Sequence, residues 1–134
     1  ALGDGPAARD AFQKSLDIAQ KLASAEPDRA DYQRDLSVSF NKMGDLELSQ
    51  GNVAAARDAF QKDLEIAITL ANREPDRADY QVDVVLSLIQ MAKFDEDPRP
   101  SLGRALQILE QLDRTGRLSP AHRPMLDRLR QAMQ

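Results

Sequence analysis

Few side chains in this sequence are of types that do chemistry, and their spacing does not bring them together. The single histidine, His122, stands in Ala-His-Arg-Pro. A lone imidazole without a neighbouring acid or second imidazole reads as a solvated first-turn residue rather than a base or a metal ligand. The run Asp95-Glu96-Asp97 offers oxygens of the kind hard cations take, but lacks the alternating ligands and the glycine of a calcium loop. It reads as a solvated helix end. No serine sits in a Gly-x-Ser-x-Gly elbow. Gly3-x-Gly5 is too short to cradle a phosphate and reads as a flexible end. Cysteine is absent, which removes disulfides, thiolate catalysis and Cys-ligated zinc together and is compatible with a reducing cytoplasm. The expectation is a protein that is not an enzyme, with no catalytic residue, no cofactor and no metal.

Charge and hydropathy narrow the partners. The net charge is −4 with both signs interspersed, and no Lys/Arg cluster could track a phosphate backbone, so nucleic acid is not an expected partner. No apolar run approaches the ~18 residues of a membrane span, and no signal peptide is visible. The hydrophobic fraction of 42% suffices for a core, and because aromatics supply only 4% that core must be built mainly from Ala and Leu. With Glu, Gln, Lys and Arg these residues favour helix throughout.

The elements that position any functional residue come from an internal duplication. Ala8-Arg9-Asp10-Ala11-Phe12-Gln13-Lys14 recurs as Ala56-Arg57-Asp58-Ala59-Phe60-Gln61-Lys62, and Glu26-Pro27-Asp28-Arg29-Ala30-Asp31-Tyr32-Gln33 recurs as residues 74–81. Both pairs share one offset of 48 residues, and aligning 3–50 on 51–98 matches 25 of 48 positions. Self-similarity at this level marks a repeat architecture.

Each unit holds two helical patterns. Ala56, Ala59, Phe60, Leu64, Ala67, Leu70 and Ala71 form one stripe at spacings of three and four, repeated as Ala8, Ala11, Phe12, Leu16, Ala19, Leu22 and Ala23. The other stripe is Tyr32, Leu36, Phe40 and Met43, repeated as Tyr80, Val84, Leu88 and Met91. Pro27 and Pro75 suit a first helical turn, Gly51 a helix end and Asn52 the cap of the next helix. Beyond Pro98 and Pro100, Ser101 is expected to cap a helix with Leu102, Ala105, Leu106, Leu109 and Leu112 inward. Gly116 ends it, and Ser119-Pro120 opens a last helix carrying Met125, Leu126, Leu129 and Met133. The predicted helices are about 5–25, 28–50, 52–73, 76–95, 101–115 and 119–133, in one domain over 1–134. Phe12, Phe60 and the methionines belong to its core.

Phe40-x2-Met43-Gly44-x2-Glu47 followed by Ala56-x3-Phe60 resembles the tetratricopeptide repeat signature, Trp-x2-Leu-Gly-x2-Tyr then Ala-x3-Phe. Glu47 and Asp95 stand where that family prefers Tyr, and the period of 48 exceeds the usual 34. The extra length is similar to long-period variants in bacterial multidomain signalling and effector proteins. The resemblance covers residues 5 to about 115. It implies an all-α fold: antiparallel helix-turn-helix repeats stacked as a short right-handed α-solenoid, with residues 119–133 as a C-terminal capping helix.

The same resemblance implies a binding face. The first helix of each pair lines the concave side, and away from the packing stripe it carries Val38, Asn41, Asp45 and Leu48, then Leu86, Ile89, Lys93 and Glu96. Asn41 is the residue to hold a peptide backbone and Lys93 to meet an acidic group, while Leu86 and Ile89 suit an apolar segment or a neighbouring helix. The expected partner is a protein, a peptide or another domain of the same parent chain. The initial Ala suggests an excised C-terminal piece of a longer cytoplasmic protein. Residues 5–25 lack a covering helix, so a homo-oligomer formed through them is the alternative.

Overall fold

The computed structural model describes residues 4–134, apart from the side chain of Asp4. Over these residues the chain is all-helical, with no strand. Six α-helices follow one another: α1 (Asp4–Ala25), α2 (Ala30–Ser49), α3 (Val53–Arg73), α4 (Ala78–Ala92), α5 (Arg99–Arg114) and α6 (Arg123–Ala132). A 3₁₀ turn at Pro120–His122 precedes α6. The chain forms two compact units, one ending at Ile66 and the other running over Ala67–Gln134, so the division falls inside α3.

In the first unit α2 lies between α1 and α3. Leu16, Ala19 and Ala23 of α1 meet Leu36, Phe40 and Met43 of α2 in one buried cluster, with Phe12, Tyr32, Leu46 and Ile66 packed around it. Small residues let the helices approach closely. A methyl group added at Gly44 of α2 would come within 2.7 Å of Cε1 of Phe60 in α3, a ring only 1% exposed. The pairing of Gly44 with Phe60 is therefore a steric fit in which a side chain on one helix fills the space left by its absence on the other.

In the second unit Tyr80, Val84, Val85, Leu88 and Met91 are buried on α4, Ala105, Leu109 and Leu112 on α5, and Leu126 and Leu129 on α6. The α4–α5 and α5–α6 pairs pack directly. The Met133 methyl lies over Gly103, and Arg123 and Arg130 of α6 pair with Asp113 and Glu110 of α5 at the solvent edge.

Helix ends depart from the sequence reading in instructive ways. The helices expected from 28 and 76 begin at Ala30 and Ala78, and Pro27 and Pro75 lie in the preceding turns. Arg29 N–H donates to the Glu26 carbonyl at 3.1 Å and Arg77 N–H to Glu74 at 3.0 Å. Proline thus occupies the second position of a four-residue turn, where its fixed φ fits equally well. Arg29 then folds over the Tyr32 ring at 3.9 Å and grips Asp31, as Arg77 does with Tyr80 at 4.1 Å and Asp79. Gln33 and Gln81 donate back to the carbonyls of Pro27 and Pro75. The recurring Pro-Asp-Arg-Ala-Asp-Tyr-Gln is accordingly a turn stapled to the helix that follows it.

Gly51 and Gly116 adopt φ of 80° and 71°, the left-handed conformation that closes a helix. Asn52 N–H reaches the Glu47 carbonyl and Arg117 N–H the Leu112 carbonyl, each at 2.8 Å, completing the terminal hydrogen bonds of α2 and α5. α5 starts at Arg99 rather than Ser101, because Asp97 accepts the Arg99 N–H at 3.1 Å and the Ser101 hydroxyl donates to Asp95. Ser119 does cap, accepting from Ala121 N–H. The element it opens is a 3₁₀ turn, since Pro124 has no N–H to give the Pro120 carbonyl and a continuous α-helix from 120 is interrupted there.

Candidate functional site

The residues expected on the binding face divide between the units. On α2, Val38 and Leu48 are exposed at 48% and 41%, and Asp45 is exposed between them. On α4, Leu86 is exposed at 48% and Ile89 is half-buried; just past its end, exposed Lys93 donates to Oε1 of Gln90 at 2.8 Å. Asn41 differs from its neighbours. It is half-buried, and its Nδ2 donates to Oδ2 of Asp63 on α3 at 3.1 Å. That hydrogen bond belongs to the α2–α3 joint, not to a visiting peptide.

Two buried carboxylates organise the first unit. Asp63 is 6% exposed and also accepts from the Ser37 hydroxyl of α2. Glu47, likewise 6% exposed, pairs with Arg9 of α1 and accepts from Asn52 Nδ2 at 2.9 Å. The Arg9 hydrogen bond, aided by Asn52, holds the Glu47 carboxyl below its ordinary value of 4.5 despite burial. Glu47 stands where the repeat signature favours Tyr. Here its carboxylate links α1, α2 and the entry to α3. Both carboxylates carry structural hydrogen bonds.

On the first unit a groove of about 330 Å³ lies between α1 and α2. Ala19 is its floor, and Ile18 and Leu22 of α1 face Val38 of α2 across it, with Ser15, Tyr32, Asp35, Ser39 and Lys42 around them. Ile18 is 61% and Leu22 42% exposed. Of the eight residues expected on the binding face, only Val38 lines this groove. A second groove, of about 380 Å³, lies in the other unit between the turn at Pro75-Asp76, Gln81 and the α5 residues Gln107, Ile108, Gln111 and Leu112. Arg117 closes it by donating to the Asp76 carbonyl at 2.9 Å.

The uncovered stripe expected along residues 5–25 is only partly uncovered. Leu16, Ala19 and Ala23 are buried beneath α2, while Ala11, Ser15, Ile18 and Leu22 form an exposed flank beside them. Ile18 lies off the stripe, so the spacing of apolar residues does not mark it. The signal that could have found it is its recurrence as Ile66 in the other copy.

The residues weighed for chemistry remain scattered. His122 is half-buried, with a buried Nδ1 that has no hydrogen-bond partner among the described residues. Asp95 holds Ser101 and Asp97 holds Arg99, whose guanidinium draws the Asp97 carboxyl below its ordinary value. Gly5 is part of α1, and Gly3 lies outside the described residues. Among the described residues no group of three or more His, Asp or Glu side chains is placed to hold a metal ion, and no helix is long and apolar enough to cross a membrane.

No family model, curated protein or solved structure matches this chain.

Proposed function

We propose that this chain is a protein–protein interaction module, a scaffold of the tetratricopeptide kind within a larger bacterial signalling or effector protein, acting in the cytoplasm. The observation that carries the reading is the α1–α2 groove, where Ile18, Leu22 and Val38 expose apolar surface together. Scattered surface leucines need no explanation, but three branched side chains around one concavity offer a partner apolar area to cover. The duplicated helices and the all-helical fold support the same reading.

The test is site-specific photocrosslinking in the source cells. A photoreactive residue replacing Ile18 or Val38 is expected to yield a discrete protein adduct, and one replacing Gln20, exposed elsewhere on α1, none. Equal labelling at all three positions, or no adduct at any, sinks the reading. The exposed Ile18 and Leu22 also favour a second reading, self-association into an oligomer through this same face. Sedimentation equilibrium separates the two, since a concentration-dependent dimer abolished by Ile18→Lys belongs to the second.

A further inference from the structure

The chain contains two copies of one helix, and a flank that is covered in one copy is exposed in the other. In α3, Ala59 and Asp63 are each 6% exposed, and Ile66 packs into the core cluster. The equivalent residues of α1 are Ala11, Ser15 and Ile18, and all three are exposed. Within the first unit the helix that covers this flank of α3 is α2. It brings Gly44 against Phe60 and donates from Ser37 and Asn41 to Asp63. Phe12, the counterpart of Phe60, is half-buried at the edge of the same flank on α1. The duplication thus displays, on one copy, the kind of helix that fits the other.

We propose that the α1 flank and the adjoining groove dock an amphipathic helix of the α2 type, presented by a partner protein, which sets a glycine or alanine against Phe12 and short polar side chains against Ser15. The site continues an existing interface, because its floor, Ala19, already belongs to the α1–α2 core cluster. The rim carries Asp35 and Lys42 seven residues apart, neither with an ion-pair partner among the described residues. A helix of mixed charge is therefore preferred over one of a single sign, and α2, with Arg34, Asp35, Lys42 and Asp45, is of that kind. Docking by such a helix covers an apolar stripe through positions three and four apart. This inference rests on the interaction reading above and names the chemistry of the partner.

A fluorescein-labelled peptide with the sequence of residues 30–50 serves as the probe, titrated with the whole chain and followed by anisotropy. Saturable binding is expected, weakened about tenfold or more by Gly44→Leu in the peptide and by Ile18→Lys in the protein. Ser15→Asp in the protein restores the acceptor that α3 offers at Asp63. It is expected to tighten binding of the unmodified peptide by about threefold or more, but not of the Ser37→Ala/Asn41→Ala peptide. Circular dichroism checks that each protein variant stays folded. Absence of binding to the folded chain, or binding indifferent to both Gly44→Leu and Ile18→Lys, overturns the proposal. So does a dimer that occupies the flank and is released by Ile18→Lys, since the occupant is then a second copy. Failure of the peptide while crosslinking at position 18 persists refutes only the α2-type chemistry, whereas failure of both refutes the interaction reading as well.

Discussion

Gly44 of α2 lies directly against the ring of Phe60 on α3, with the space of a single methyl group taken by the aromatic carbons. In the middle of an exposed helix, replacing glycine by alanine stabilises by about 1 kcal/mol. Here the added carbon would come within 2.7 Å of a ring that is itself only 1% exposed. Gly44→Ala is therefore expected to destabilise, by about 1–3 kcal/mol, the usual range for overpacking a filled core. Urea denaturation followed by circular dichroism measures it, and a variant more stable than the parent would contradict the fit.

The Asn41–Asp63 hydrogen bond changes what a mutation at Asn41 reports. Asn41→Ala removes a donor from a carboxylate that is 6% exposed, at an expected cost of about 1–3 kcal/mol. Asp45→Ala, on the same helix but exposed, is expected to change stability by no more than about 0.5 kcal/mol. A loss of partner binding in the Asn41 variant should then be accompanied by a lowered melting temperature. Full stability with lost binding would show that Asn41 contacts the partner directly.

Glu47 gives the first unit a predictable response to acid. Its folded value lies below the ordinary 4.5, chiefly through the hydrogen bond from Arg9. A depressed carboxyl value favours the folded state wherever the group is ionised. The Arg9–Glu47 contribution is thus fully present above the ordinary value and is lost as pH falls through the lower, folded one. Asp31 and Asp97, held down by Arg29 and Arg99, drift in the same direction from exposed positions. Glu47→Gln isolates the buried pair. The stability advantage of the parent over this variant is expected to be largest near about pH 7 and to shrink steadily below about pH 4. An advantage that stays constant with pH would mean the pair contributes nothing electrostatic.

Much of this was legible in the residues. The stripe at spacings of three and four located all six helices, and the 48-residue offset located the duplication, because burial of one helical face leaves a periodic trace. Helix starts at 28 and 76 were misplaced because proline suits both a first helical turn and the second position of a turn. Only the stacking of Arg29 on Tyr32 reveals which one is used. The role of Asn41 was hidden for a different reason: its partner is 22 residues away on another helix, beyond any local pattern. A trace of it existed. Position 63 is an aspartate set between Phe60 and Ala67 of the apolar stripe at spacings of three and four, where its copy has Ser15, and a carboxylate at a buried position requires donors. The α1–α2 groove was missed because exposure depends on what covers a helix, and Ala11, Ile18 and Leu22 recur as Ala59, Ile66 and Leu70 in different surroundings.

Leu22 and Leu70 turn that last point into a measurement. They are the same residue at the same place in the repeat, yet Leu22 is 42% exposed and Leu70 only 3%. Truncating a buried leucine removes transfer energy and leaves a cavity, so Leu70→Ala is expected to cost about 2–5 kcal/mol. Leu22 already meets solvent, and Leu22→Ala should cost about 1 kcal/mol or less. If the α1 flank serves to dock a helix, the order reverses for binding. Leu22→Ala then weakens capture of the α2-sequence peptide in a chain of nearly unchanged melting temperature. Equal destabilisation by the two truncations would mean that something in the folded chain covers Leu22 as closely as Leu70, and the flank would no longer be a surface open to a partner.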